Sequence, residues 1–128
     1  MKHESLARVS RPYAVQRGSR AWSLATADLE GAPLDAVDGD VIARSLERTL
    51  TACIGPIAWG VHRFEPRGAS LVGVAPRGRV IVHTWPEHAA LTVDLYAEHA
   101  RAEAALAASA DALMAELTRV QSRCGRAG

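Results

Sequence analysis

Between residues 57 and 96 the chain presents four β-type runs in quick succession, IAWGVHRF, SLVGVA, RVIVHT and ALTVDLY. Each is rich in β-branched or aromatic residues and is bounded by Gly, Pro or other turn formers, the signature of short strands. A parallel pair needs a crossover of a dozen or more residues, and these connections are far shorter. Consecutive runs must therefore pair as hairpins, and the sheet they build must be antiparallel.

The flanking segments add one more strand and two helices. Residues 22–29, WSLATADL, alternate as a half-buried strand does, and EGAPLDAVDGD after them is a loop punctuated by Gly31, Pro33 and Gly39. Asp38 or Asp40 can cap a helix in which Ile42, Leu46, Leu50 and Cys53 recur at three- and four-residue steps, until Gly55-Pro56 stops it. A final Ala-rich helix spans about Glu98 to about Val120, with Leu106, Leu113, Leu117 and Val120 along one side. Two helices cannot cover both faces of so small a sheet without burying their polar sides, so both are expected on one face. The fold class is α+β, a two-layer sandwich. Its second sheet face is left for something else to cover, and sheet-on-sheet packing in a homodimer meets that need.

At 128 residues the chain makes one domain. The expected division is a flexible basic N-terminal arm at 1–20, the domain at 21–120 and a C-terminal tail at 121–128. The arm holds Lys2, Arg8, Arg11, Arg17 and Arg20 against Glu4, whereas residues 21–118 hold seven arginines against thirteen carboxylates. A basic arm without interleaved aromatics, on an acidic body, reads as a solvated tail and speaks against nucleic acid as a partner. No run is apolar enough for a membrane span or a signal peptide, so a cytoplasmic protein is expected. A single lysine among many Arg and Ala residues points to a GC-rich bacterial coding sequence. Cys53 and Cys124 lie far apart without CxxC spacing, which favours a buried free thiol and a tail thiol over a metal site or a redox pair.

Residues 61–97, VHRFEPRGASLVGVAPRGRVIVHTWPEHAALTVDLYA, resemble the centre of the bacterial S-adenosylmethionine decarboxylases, short pyruvoyl enzymes of polyamine synthesis. The matching pieces are His62-Arg63-Phe64, Pro66, Gly68, Ser70, His83-Thr84-Trp85-Pro86-Glu87 and Val93-Asp94-Leu95-Tyr96, in register without a gap. Outside this stretch only the order of elements matches. The resemblance implies the family's fold and a four-layer dimer, helices outside and two sheets within. It also implies a chemistry, in which a Ser in the hairpin ahead of His-Thr-Trp-Pro-Glu attacks the preceding carbonyl and the chain splits through an ester. Elimination then leaves a pyruvoyl group, whose ketone takes the substrate amine as a Schiff base.

In this chain that Ser falls on Gly78, which has no hydroxyl. The family's preceding Glu is Arg77, its following His is Arg79, and its proton-donating Cys falls on Glu98. The nearby hydroxyls of Ser70 and Thr84 are not at the hairpin tip, and Ala75-Pro76-Arg77-Gly78 has the Pro and Gly placement of a plain type I turn. The resemblance thus implies a degenerate relative with no pyruvoyl cofactor, and with no catalytic role at Arg77, Gly78, Arg79 or Glu98.

Ser70, His83, Glu87 and Glu98 remain as candidate pocket residues. His83 shares a strand face with Arg79 and Ile81, where it serves equally well as a hydrogen-bonded sheet residue. Glu98 is placed at the opening of the last helix, where a carboxylate favours the dipole. Glu87 and His88 with His83 match no established ligand spacing, so no metal is expected. Arg63, Arg67, Arg77 and Arg79 are a candidate anion-binding cluster, with solvated surface as the plain alternative. Trp59, Trp85 and Tyr96 read as core or interface aromatics.

Three functions are compatible with these residues. The first is a binding or regulatory module that pairs with itself or with an active homologue. The second is a repurposed scaffold in a specialised biosynthetic pathway, holding a small molecule or a peptide. The third is an enzyme of new type using His83 with Glu87 or Glu98, which requires those side chains to share one cleft.

Overall fold

The computed structural model describes residues 8–9, 14–17, 22–32, 34 and 39–127. In chain order these form β1 (Arg8–Val9), β2 (Ala14–Arg17), β3 (Trp22–Glu30), α1 (Gly39–Ile54), β4 (Ala58–Arg63), β5 (Ala69–Ala75), β6 (Gly78–Trp85), β7 (Ala90–Glu98) and α2 (His99–Ala127). The four closely spaced runs are β4 to β7, and they meander through three antiparallel hairpins. β3 pairs antiparallel with β7, and β1 and β2 both pair with β3, giving one sheet with the path β1-β3-β7-β6-β5-β4.

Alternation decides the faces. Ala25, Ala27 and Leu29 of β3, Leu71 of β5, Val80 and Val82 of β6, and Leu91, Val93 and Leu95 of β7 are all buried. They join Leu46, Leu50 and Ile54 of α1 and Leu106, Leu113 and Leu117 of α2 in a single core, so both helices lie on this one face. Ser109 is buried inside that layer, and it accepts a 2.8 Å hydrogen bond from Thr49 Oγ1 that ties α2 to α1. Among the described residues the opposite face of the sheet carries no helix, and Val72, Val74 and Trp85 are exposed on it. Among the described residues no helix is long and apolar enough to cross a membrane.

Three boundaries differ from expectation. Arg8–Val9 and Ala14–Arg17, expected in a loose arm, pair with β3 and belong to the sheet. Ladder hydrogen bonds use backbone groups that every residue but proline carries, so composition gave no sign of them. α2 continues to Ala127 and takes up most of the expected tail, past its last buried leucine, Leu117. Its first residue is His99, so Glu98 ends β7 rather than opening the helix. Asp38 and the side chains of Val120 and Cys124 lie outside the described residues.

Candidate functional site

The pairing of β5 with β6 creates two ends with different contents. At the end away from the turn, the register lines up His62, Ser70, His83, Thr92 and Asp28 across five strands on the helix-free face. Ser70 Oγ lies 2.5 Å from His83 Nδ1. With the proton of the neutral imidazole on Nε2, the hydroxyl donates and Nδ1 accepts. Beside this pair, Thr84 Oγ1 accepts a 2.8 Å hydrogen bond from the Ala69 N–H, which fixes the start of β5 against β6.

A cleft of about 350 Å³ opens here, lined by Phe64, Arg67, Ser70, His83, Trp85 and Glu87 among others. A second, of about 290 Å³, lies across the 64–68 loop and reaches Arg63, Leu34 and Ile42. The structure therefore brings Ser70, His83 and Glu87 into one cleft. It does not bring Glu98 there. Thr92 is opposite His83, and Glu98 lies six residues further along β7, roughly 20 Å away at the rise of a strand.

One more ionisable group belongs to this face. Asp94 is half-buried, and burial pushes its carboxyl above the usual range. The charge of His83 pulls it down and that of Asp28 pushes it further up.

The turn end is closed. β5 and β6 are joined by the two residues Pro76 and Arg77, with Ala75 opposite Gly78. The Arg77 N–H donates to the Ile54 carbonyl at 2.9 Å, and the ring of Pro76 lies against Gly55. Gly55 has φ +94°, the left-handed conformation that ends a helix, and this turns the chain away beneath the hairpin.

Gly78 is packed so tightly that an added Cβ would stand 2.5 Å from the Tyr96 carbonyl oxygen and 2.6 Å from Ile54 Cγ2. A side chain at this position would require the Tyr96 carbonyl or Ile54 to shift. Cys53, Arg77, Glu98 and Arg101 gather around the same tip. Burial pushes the Cys53 thiol up, the two guanidiniums pull it down and Glu98 pushes it up again.

Arg79 is engaged elsewhere, its guanidinium 4.5 Å from the Tyr96 ring centroid while Trp22 stacks on the same ring. The expected cluster of four arginines does not form, because Arg63 and Arg67 lie at the cleft end of β5 whereas Arg77 and Arg79 lie at its turn end. The neighbourhood of Cys53 was not visible in the sequence, since it depends on how the hairpin docks on α1. Among the described residues, no three His, Cys, Asp or Glu side chains are grouped so as to hold a metal ion.

An antiparallel sheet backed by two helices, with a tight central hairpin and a Ser–His pair next to Trp-Pro-Glu, defines a class of α+β domain. Within that class, the family described as S-adenosylmethionine decarboxylase matches residues 25–123, and the chain belongs to it. It is 36% identical over 72 residues to the S-adenosylmethionine decarboxylase proenzyme of Aquifex aeolicus, covering 55% of this chain and 53% of that one. It is 32% identical over 75 residues to the proenzyme of Methanococcus aeolicus, covering 56% and 64%. The chain thus spans between about half and two thirds of these relatives' length. The crystal structure of the adenosylmethionine decarboxylase from Aquifex aeolicus superposes with a TM-score of 0.55 at 28% identity, over 76% of this chain and 79% of that one.

Proposed function

We propose that this chain is a non-catalytic member of the family, a binding or regulatory module that does not cleave itself, forms no pyruvoyl group and does not decarboxylate. The observation that carries this reading is the packing of Gly78. The position that the resemblance gives to the self-processing serine has no hydroxyl, and a Cβ there would meet the Tyr96 carbonyl and Ile54 well inside contact distance. The neighbouring positions support it. Arg77 is tied to α1 through its backbone, Arg79 lies over an aromatic ring, and Glu98 ends β7 as an exposed carboxylate whose charge reaches the Cys53 thiol. The relatives are named proenzymes, so this chain would part from them at one hairpin.

Binding is assigned to the other end. A cleft of about 350 Å³ with an aromatic rim, one arginine, one carboxylate and a Ser–His pair is of a size to hold a small molecule. The helix-free face, with its exposed Val72, Val74 and Trp85, is assigned to sheet-on-sheet association in a homodimer. Of the acid–base pairs open to an enzyme of new type, only His83 with Glu87 shares a cleft.

The test is release of carbon dioxide from carboxyl-labelled S-adenosylmethionine by the purified chain. None above a heat-denatured control is expected. Turnover that is lost on His83→Asn substitution would refute the reading.

A further inference from the structure

The two clefts at the open end of the β5–β6 pair lie on opposite faces of the sheet. Register puts Ser70 and His83 on the helix-free face. It puts Arg63, Ala69 and Thr84 on the other, in line with the buried Leu71 and Val82. The cleft of about 290 Å³ is on this second side, where its lining includes Leu34 and, from the first turn of α1, Gly39 and Ile42. None of these three borders the cleft that holds Ser70 and His83. Phe64 and Arg67 border both, because the 64–68 loop stands between the two. That loop is closed by a 2.9 Å hydrogen bond from the Phe64 N–H to the Gly68 carbonyl. It also rests on the end of β6, since a Cβ added at Gly68 would stand 3.4 Å from the Thr84 carbonyl oxygen and 3.6 Å from the Pro86 ring.

The helix-side cleft has an apolar floor and a basic rim. Leu34 and Ile42 are buried members of the core and form the floor. The exposed Arg63, Glu65 and Arg67 form the rim, which gives two guanidiniums against one carboxylate among the described residues of the lining. Both arginines are already engaged within the chain. A guanidinium carries several N–H donors and no acceptor, however, so one partner leaves others for an anion. Thr84 does not compete for it, because its hydroxyl is spent on the Ala69 backbone. The complement of such a lining is a molecule with a carboxylate at one end and hydrocarbon at the other. A bare anion would leave the floor without contact, and an alkyl amine would set its charge against the guanidiniums. Ligand sites begin at roughly 300 Å³, so the occupant must be short.

We propose that this cleft is a second ligand site, taking a short-chain carboxylate whose carboxyl group meets Arg63 and Arg67 and whose hydrocarbon lies on Leu34 and Ile42. It goes beyond the cleft beside Ser70 and His83, and it stands whether or not that cleft is filled. Two of the four arginines singled out in the sequence thereby keep an anion-binding role.

Titration of the full chain with hexanoate, followed through its NMR methyl and amide signals, tests the site. The Leu34 and Ile42 methyl signals should shift saturably, with a Kd on the order of 1 mM for a ligand of about eight non-hydrogen atoms. Acetate and inorganic phosphate lack the chain and hexylammonium has the wrong charge, so each should bind more weakly by roughly tenfold or more. Arg63→Gln should weaken hexanoate by roughly fivefold or more, whereas Arg79→Gln, at the far end of the hairpin, should leave its Kd unchanged. Shifts centred on Ser70 and His83 would place the ligand in the other cleft and overturn the proposal. So would phosphate or hexylammonium binding as tightly as hexanoate, an Arg63→Gln chain with the wild-type Kd, or shifts that never saturate. Each of these outcomes leaves the reading of Gly78 and its hairpin as it was, since that reading is decided by carbon dioxide release.

Discussion

The turn end and the cleft end of the β5–β6 hairpin belong to the same two strands and obey the same register, yet they differ in what they leave open. At the turn, a residue without a side chain lets the Tyr96 carbonyl and Ile54 close in, and a backbone hydrogen bond clamps the tip to α1. At the other end, the aromatic rings of Phe64 and Trp85 hold a cleft beside a Ser–His hydrogen bond. Register keeps each position of the family pattern in its place in space. On the proposed reading, local packing then decides whether chemistry is possible there.

The contrast is broken most directly by returning a hydroxyl to the closed end. Gly78→Ser should leave the chain uncleaved and destabilise it by about 1–3 kcal/mol in urea unfolding, the usual cost of forcing atoms into a packed site. A Gly78→Ser chain that cleaves itself would show that packing is no barrier and that only the hydroxyl is missing. At the open end the expected effect is smaller. Ser70→Ala removes the hydrogen bond to His83 at a half-exposed position, and should cost no more than about 1 kcal/mol in the same measurement.

Most of the sheet and the helix pairing were legible because period-2 and period-3.6 patterns report directly which side chains are buried. The grouping of Ser70 with His83 was legible in principle as well. Once the turn is placed at Pro76-Arg77, counting five residues outward from Ala75 and from Gly78 sets Ser70 opposite His83. The same count separates Arg63 from Arg77, so the four-arginine cluster was a case of proximity in sequence mistaken for proximity in space. β1 and β2 were not legible, since edge pairing to β3 uses backbone groups and needs no pattern. Nor was the setting of Cys53, which is made by α1, the hairpin tip and the end of β7 meeting at one place.

Two pH effects sharpen the comparison further. The Asp94 carboxyl is held above its usual range by burial, so the folded chain binds that proton more tightly than the unfolded chain does. Stability is then lost as pH rises through the raised value. Asp94→Asn should therefore raise the melting temperature near pH 7, and the gain should close as the pH falls and the wild-type carboxyl takes up its proton. At the closed end, in a Cys124→Ser background, alkylation of Cys53 by iodoacetamide should need a higher pH than a free thiol does. Glu98→Gln should bring that requirement down, since the carboxylate is one of the groups that push the thiol up.

The smallest effect is expected at Ala89, beyond the Trp-Pro-Glu turn, where φ is +50° without a glycine to accommodate it. Ala89→Gly should stabilise the chain by less than about 1 kcal/mol, as relief of left-handed strain competes with the greater freedom of the unfolded glycine.

The central claim, that the hairpin is an intact turn, is tested most directly by the intact mass of the purified chain. One species near 13.6 kDa, with an unbroken backbone between Arg77 and Gly78, is the predicted result. Two fragments divided within the 75–79 hairpin would contradict it.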